Sequence, residues 1–358
     1  MDIRPRLSTG FDSELSLTFI KKISPGWFRL FLAVVVVFYH TSKIVFFGKW
    51  AVYVFFILSG YWLDQIYGSN YSQATHPIRT FYISRFLRVY PVFAVATLLA
   101  FFAQQLVQGG YHLAWQQWML LGYSSLPFRL LEPGWSLDIE VQFYIVFPLL
   151  FSLFRNGINV KRILPLSILC VGGIVAFGPL NSLVPYCGFF AVGMAVSQYE
   201  WKPSSALWNI GLFASLALFV AVFAVPTLRN SVLSTGKLSL FEEDLTPLFD
   251  ITFAVVTVPF LATNVTVRDT ALGRHAGNLS FPLYLVHWVT LGPYVAWYGG
   301  LPVRERLVWF VLYLLVTALL TLVVYVTVDR PFENIRRRFI NSQCRRRITE
   351  TPNLAGEV

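Results

Sequence analysis

Long apolar runs, broken by short polar segments, make up most of the chain. A run of about 20 apolar residues is long enough to cross a bilayer as a helix. This pattern predicts an all-α, polytopic membrane protein of about ten transmembrane helices. The predicted spans are roughly residues 28–46, 50–67, 89–107, 138–154, 163–179, 182–198, 207–226, 248–263, 279–298 and 307–328.

The placement of charge predicts the orientation of these spans. An even number of spans puts both termini on the same side of the membrane. The segments on that side hold 21 of the 28 Lys and Arg residues. Because basic residues favour the cytoplasmic face, we expect both termini to be cytoplasmic. The expected domains are a cytoplasmic segment 1–27, a membrane domain 28–333 and a basic cytoplasmic tail 334–358.

Composition adds several exclusions to this picture. Hydrophobic residues form 56% and charged residues 13% of the 358 residues, whereas soluble domains carry roughly a quarter charged residues. A soluble enzyme, a secreted module and a disordered protein are therefore excluded. The net charge of +10 is explained by the basic residues on the predicted cytoplasmic side. We therefore expect no nucleic-acid partner. With three cysteines and no metal-binding or Walker-type spacing, we expect no metal and no permanently bound cofactor.

Two ionisable residues share one face of the first predicted span. Arg29 and His40 are eleven positions apart, and eleven steps of about 100° end some 20° from three full turns. An ionisable group inside a span costs several kcal/mol unless it is paired or hydrated, so it marks a candidate site. A neutral imidazole can take a proton from an alcohol, which makes His40 a candidate general base. A histidine that only packs against a neighbouring helix is the alternative.

A second pair of basic residues begins the third span. Arg85 and Arg88 are three positions apart, so on a helix their side chains project together. Two guanidinium groups so placed could bind phosphates in bidentate fashion. The alternative is an ordinary basic anchor at the cytoplasmic face.

Polar residues also mark the fourth and ninth spans. Glu140 follows Trp135 near the predicted outer interface, where a carboxylate could accept sugar hydroxyls beside an aromatic ring. Tryptophan at a membrane interface is common, so Trp135 alone indicates little. In the ninth span Ser280, Tyr284 and His287 follow the i, i+4, i+7 spacing of one polar stripe. Helical rise puts His287 at a depth comparable with His40, so the two histidines could face one cavity.

Six segments, taken in order, resemble the acyltransferase-3 family of polytopic bacterial membrane acyltransferases. They are Arg29-x10-His40, WAVYVFFILSGYWL (50–63), SRFLRVYP (84–91), WSLDIEVQFYIVFP (135–148), LSFPLYLVHW (279–288) and DRPFE (329–333). Two positions depart from the family pattern: Val141 stands where a second Glu is frequent, and Leu30 replaces the usual Gly.

The resemblance implies a multi-pass protein of the bacterial inner membrane that transfers an acyl group, most often acetyl, from cytoplasmic acyl-CoA. The acceptor would be a hydroxyl of an exported or lipid-linked glycan such as O-antigen or exopolysaccharide. The expected partners are acyl-CoA, the glycan, the lipid bilayer and the polysaccharide-assembly machinery. Many members of the family carry an additional extracytoplasmic esterase-like domain. Because this chain ends in a basic tail, we expect it to be the stand-alone form.

Resemblance and residue chemistry together suggest a role for each candidate. The predicted catalytic residues are His40, Arg29 and Glu140; the residues that bind acyl-CoA are Arg85 and Arg88; those that contact substrate or line a channel are Trp135, Ser280, Tyr284 and His287. Two alternatives stay open. One is a transporter or flippase for a lipid-linked saccharide, which an inverted repeat would favour; the chain shows no such repeat. The other is an acyltransferase that acts on a small molecule or a lipid.

Overall fold

Helices form most of the structure, a computed structural model that describes residues 23–110, 112–155, 172–173, 181–240 and 243–350. The helices are α1 (Pro25–Thr41), α2 (Gly48–Ser69), α3 (Pro77–Gln108), α4 (Gly134–Arg155), α5 (Cys187–Gln198), α6 (Ser205–Ala224), α7 (Pro226–Thr235), α8 (Thr246–Asn264), α9 (Ala271–Tyr298), α10 (Val303–Val324) and α11 (Arg330–Glu350). The strands are β1 (Ser239–Leu240) and β2 (Glu243–Asp244), which pair antiparallel between α7 and α8. The prediction of an all-α fold therefore agrees with the described residues.

Helix length and hydropathy fit a multi-pass membrane protein. Within the described ranges, five helices are long and apolar enough to cross a bilayer: Pro77–Gln108, Gly134–Arg155, Ser205–Ala224, Thr246–Asn264 and Arg304–Cys344. Helix α1 is apolar but shorter. The predicted span 163–179 lies outside the described residues except for 172–173. The count of ten spans and the cytoplasmic placement of both termini stay predictions.

Several helices extend beyond the apolar runs that predicted them. Helix α3 begins at Pro77, twelve residues before residue 89, and α9 begins at Ala271, eight residues before residue 279. Hydropathy marks where a chain enters lipid, whereas capping decides where a helix begins. Pro77 occupies a first-turn position that needs no N–H, and the hydroxyl of Thr270 accepts a hydrogen bond from the Gly273 amide. Helix α1 ends early, at Thr41, although its apolar run continues to residue 46.

Glycines bring α2 and α5 into backbone contact. A Cβ added at Gly60 would lie 2.1 Å from the carbonyl oxygen of Phe190, and one added at Gly193 would lie 1.9 Å from that of Ile57. Small residues allow membrane helices to approach this closely. The Phe190 ring also stacks on Phe143 of α4 with 4.0 Å between centroids. These contacts hold α2 and α4 at fixed positions beside the cavity described below.

A π-helical turn joins α10 to α11. This turn, Tyr325–Asp329, continues directly into α11, which packs against the first half of α3. The backbone amide and the hydroxyl of Thr75 donate to the carbonyl oxygen of Gln343. Single π turns inside helices are rare and often lie at functional sites. The predicted domain boundary at residue 333 falls inside α11.

Candidate active site

A cavity of about 380 Å³ lies between α1, α2, α3, α4, α9 and α11. Five arginines and three carboxylates line it: Arg29, Arg85, Arg88, Arg336, Arg337, Glu140, Asp269 and Glu333. Ser280 and Tyr284 also belong to the wall. Six of the nine predicted site residues therefore meet around one cavity, and its lining carries an excess of two positive charges.

Arg85 is held by aromatic rings on the cavity wall. Its Nη2 donates to the hydroxyl of Tyr71 at 2.6 Å, and its guanidinium lies 5.7 Å from the Tyr71 ring centroid and 5.8 Å from that of Tyr144. Its Nε is buried and makes no hydrogen bond to the described residues. A buried guanidinium N–H without an acceptor is free to bind an anion, and its fork geometry suits phosphate.

Arg88 forms an ion pair, whereas the Nε of Arg29 has no partner among the described residues. Nη1 of Arg88 donates to Oδ1 of Asp329 at 2.9 Å, and its guanidinium lies over the Phe281 ring. The buried Nε of Arg29 makes no hydrogen bond to any residue that the structure describes. Arg29 and Arg85 are thus the two cavity arginines with an unused buried donor.

Glu140 faces the same cavity from α4. Its Oε1 accepts hydrogen bonds from the hydroxyls of Ser59, at 2.8 Å, and Tyr144, at 2.7 Å. Tyr144 therefore contacts both the Glu140 carboxylate and the Arg85 guanidinium. The cavity holds a carboxylate and a cation within one network of side chains.

His40 and His287 stack on each other beside the cavity. Their ring centroids are 5.4 Å apart with an interplanar angle of 26°, and Trp288 packs edge-on against His40 at 5.1 Å. Nδ1 of His287 lies 3.1 Å from the carbonyl oxygen of Leu283 and donates to it, which leaves a lone pair on Nε2. That Nε2 is buried and has no partner among the described residues. Burying an acceptor without a partner is costly, which makes His287 a candidate functional residue.

Tyr284 separates the histidine pair from the cavity. Neither His40 nor His287 belongs to the lining, whereas Tyr284 does. The Tyr284 ring centroid lies 6.2 Å from that of His287, and its hydroxyl is 2.7 Å from that of Ser136. The histidines consequently lie about one helical turn beyond the inner wall of the cavity.

The family model described as an acyltransferase domain matches residues 23–326. The chain belongs to the acyltransferase-3 family. It is similar to acyltransferase MdmB of Streptomyces mycarofaciens, with 27% identity over 272 residues that cover 68% of each chain. No solved structure matches it. The protein is therefore an acyltransferase enzyme, and its apolar helices fit a multi-pass membrane protein.

The face that Arg29 shares with His40 lies against α9 in this acyltransferase. Arg29 contacts α9 at Gly277, and His40 contacts it at His287 and Trp288. The intervals are eleven residues on α1 and ten on α9, or about 15–16 Å by helical rise. The predicted common face is present, and it joins the cavity to the histidine pair.

Trp135 lies apart from these groups. Its ring packs 5.6 Å from Tyr186 and 6.4 Å from Phe56, measured between centroids, and it is not part of the cavity lining. Within the part of the chain that the structure describes, no group of three or more His, Cys, Asp or Glu residues could hold a metal.

Sequence reasoning missed several polar residues of the cavity. Ser59 lies in the segment 50–63, and Ser136 and Tyr144 lie in the segment 135–148, but their spacing alone predicts no role for them. Arg336 and Arg337 had a signal, because they follow the DRPFE segment within four residues. Both also fall within the predicted basic tail 334–358, where a position on the cavity wall is not expected. Their place on the wall depends on how α11 packs on α3.

Asp138 has a structural role that its sequence position does not reveal. Its carboxylate is fully buried and accepts hydrogen bonds from the amides of Gly122 and Ser124, the Ser124 hydroxyl and Nε2 of Gln142. It thereby fixes the loop between α3 and α4. In that loop Arg129 also donates to the Ser124 carbonyl oxygen at 2.9 Å. The hydrogen bonds that the Arg129 side chain donates to Glu132 raise the pKa of Arg129 above its usual value.

We expect Gly277→Ala to impair acyl transfer by displacing Arg29. An added Cβ would lie 2.5 Å from Nη2 of Arg29 and 2.8 Å from Cα of Gly26. Because a misplacement of about 1 Å can cost on the order of 100-fold in rate, we expect at least a tenfold loss in kcat/KM. The matched control is Gly292→Ala on the same helix, where nothing lies within 4 Å. Equal activity of the two variants would show that this close contact does not position Arg29.

Proposed function

We propose that this enzyme moves an acyl group, acetyl in the first instance, from cytoplasmic acyl-CoA to a hydroxyl of an exported or lipid-linked polysaccharide in the bacterial inner membrane. The arginine-lined cavity next to the stacked histidines carries this proposal. It offers cations to an anionic donor and a base close to the place where an acyl group would be delivered.

The cavity suits acyl-CoA because the donor is anionic at one end and reactive at the other. Arg29 and Arg85 offer buried donors without partners among the described residues to its phosphates, and Arg88, paired with Asp329, lines the same cavity. The apolar part of the wall accommodates the uncharged arm that carries the thioester. On the predicted topology Arg85 and Arg88 lie towards the cytoplasm, where acyl-CoA is found.

The histidine pair provides the proton chemistry. His40 takes the proton of the acceptor hydroxyl as its oxygen attacks the thioester carbonyl, which forms the ester bond and breaks the carbon–sulfur bond. The thiolate of CoA leaves and receives the proton from the imidazolium. His287 and Tyr284 connect the base to the cavity, and Glu140 accepts hydrogen bonds from acceptor hydroxyls. For the acyl group to reach His40, the Tyr284–Ser136 contact has to open.

The acceptor is identified by comparing cells with and without the gene. Mass spectrometry of their surface glycans should show acyl groups that depend on the gene. Inner-membrane vesicles supplied with labelled acetyl-CoA should transfer label to the same material. Label on a lipid or a small molecule instead would replace the polysaccharide as acceptor. The proposal is contradicted if the vesicles transfer no label and the glycans of cells with and without the gene are the same.

We expect Arg85→Ala to weaken donor use without removing the protein from the membrane. A charge-assisted hydrogen bond is worth about 1.5–3 kcal/mol, so KM for acetyl-CoA should rise roughly tenfold or more. The test is labelled acetyl transfer at increasing donor concentration. The control is Arg79→Ala, a basic residue of α3 that is outside the cavity lining. An unchanged KM in Arg85→Ala would remove Arg85 from the donor site.

A further inference from the structure

Helix α11 lines the cavity although it lies beyond residue 326, where the match to the acyltransferase domain ends. A chain of polar contacts connects it to the donor-binding side. Nη1 of Arg336 donates to the Ser84 hydroxyl at 3.2 Å, and that hydroxyl is 2.6 Å from the Tyr71 hydroxyl. Tyr71 in turn accepts from Arg85. The position of α11 is therefore linked to the guanidinium of Arg85.

Glu333 holds two arginines at the rim of this cavity. Its Oε1 accepts from Nη2 of Arg336 and from Nε of Arg337, both at 2.7 Å, and its Oε2 accepts from Nε of Arg336 at 2.8 Å. The terminal nitrogens of Arg337 make no hydrogen bond to the described residues. Its side chain is 65% exposed, whereas those of Arg88 and Arg336 are 21% and 14% exposed. Arg337 is thus the most exposed of these three cations, and within the described ranges its terminal nitrogens have no acceptor.

We propose that Arg337, oriented by Glu333 and Arg336, binds the 3′-phosphate of the acyl-CoA donor. This inference rests on the proposed function. The acyl end of the donor has to enter first, so its nucleotide end stays at the rim. In acyl-CoA the diphosphate joins the ribose to the arm that carries the thioester, and the 3′-phosphate lies on the ribose. The 3′-phosphate is thus farther from the acyl group than the diphosphate. The diphosphate therefore faces the inner arginines, Arg29 and Arg85, and the 3′-phosphate faces α11.

The test compares CoA with dephospho-CoA, which lacks only the 3′-phosphate. Binding of both is measured by calorimetry on the full-length protein in lipid nanodiscs, so no acceptor is needed. We expect the wild type to bind CoA roughly tenfold more tightly than dephospho-CoA, the effect of one charge-assisted contact. Arg337→Ala should lose this preference and keep its affinity for dephospho-CoA within about twofold. The matched control is Arg338→Ala, the next residue of α11, which is exposed and outside the lining.

Each other outcome contradicts a distinct part of the idea. If Arg337→Ala keeps the wild-type preference for CoA, α11 does not bind the 3′-phosphate. If Arg337→Ala weakens the binding of CoA and of dephospho-CoA equally, Arg337 contacts another part of the donor or only supports the fold. A wild type that binds CoA and dephospho-CoA equally well would also overturn the inference. Failure of the wild type to bind either ligand would instead overturn the donor named in the proposed function.

Discussion

His40→Ala and His40→Gln should lose acyl transfer by at least about 100-fold while the protein stays in the membrane. A general base contributes on the order of 100- to 10,000-fold to rate, and neither alanine nor glutamine can take up the hydroxyl proton. His40 is the candidate because it shares one face of α1 with Arg29, which lines the cavity, and because its ring stacks on that of His287. The measurement is the rate of labelled acetyl transfer in vesicles that contain equal amounts of each variant.

Two further variants sharpen this test. His76→Ala replaces an exposed histidine at the start of α3 and should keep the wild-type rate. His287→Ala removes the stacked partner and should reduce the rate less than His40→Ala, because the base itself remains. If His287→Ala were the more damaging change, the two histidines would exchange roles. Wild-type transfer by both His40 variants would show that His40 does not supply the base.

Asp138→Asn and Glu140→Gln should separate stability from activity. The buried Asp138 carboxylate accepts two backbone amides and two side-chain donors, and an amide cannot accept at both of its ends. Each donor left without an acceptor costs about 1–3 kcal/mol, so we expect Asp138→Asn to lower the unfolding temperature in detergent clearly. Glu140→Gln keeps its shape beside Ser59 and Tyr144 but loses its charge in the cavity.

We therefore expect Glu140→Gln to unfold near the wild-type temperature and to transfer acyl groups at least tenfold more slowly. Thermal unfolding of the purified proteins and labelled transfer in vesicles measure the two effects separately. A stable, inactive Asp138→Asn variant would move Asp138 into the site. A Glu140→Gln variant with full activity would leave the Glu140 carboxylate without a part in the reaction.

These two carboxylates show where sequence reasoning stops. Positions two apart on a helix point about 200° from each other, so Asp138 and Glu140 had to face different surroundings. Which one faces the cavity depends on the packing of α4 against α2 and on the loop that Asp138 fixes. Neither neighbour is close in sequence. Arg336 is a similar case, because 251 positions separate it from Arg85 and only the packing of α11 on α3 brings both to one wall.

The sequence by itself determined the all-α membrane class, the family and the common face of Arg29 and His40. These follow from local properties: the hydropathy of a run, the 100° step of a helix and the order of motifs along the chain. Only the tertiary structure decided that Arg85, Glu140 and Arg337 share one cavity, that Tyr284 separates it from the histidines and that Trp135 packs elsewhere. Such choices depend on which helices touch and how each is rotated, and those are set by close contacts between residues far apart in the chain.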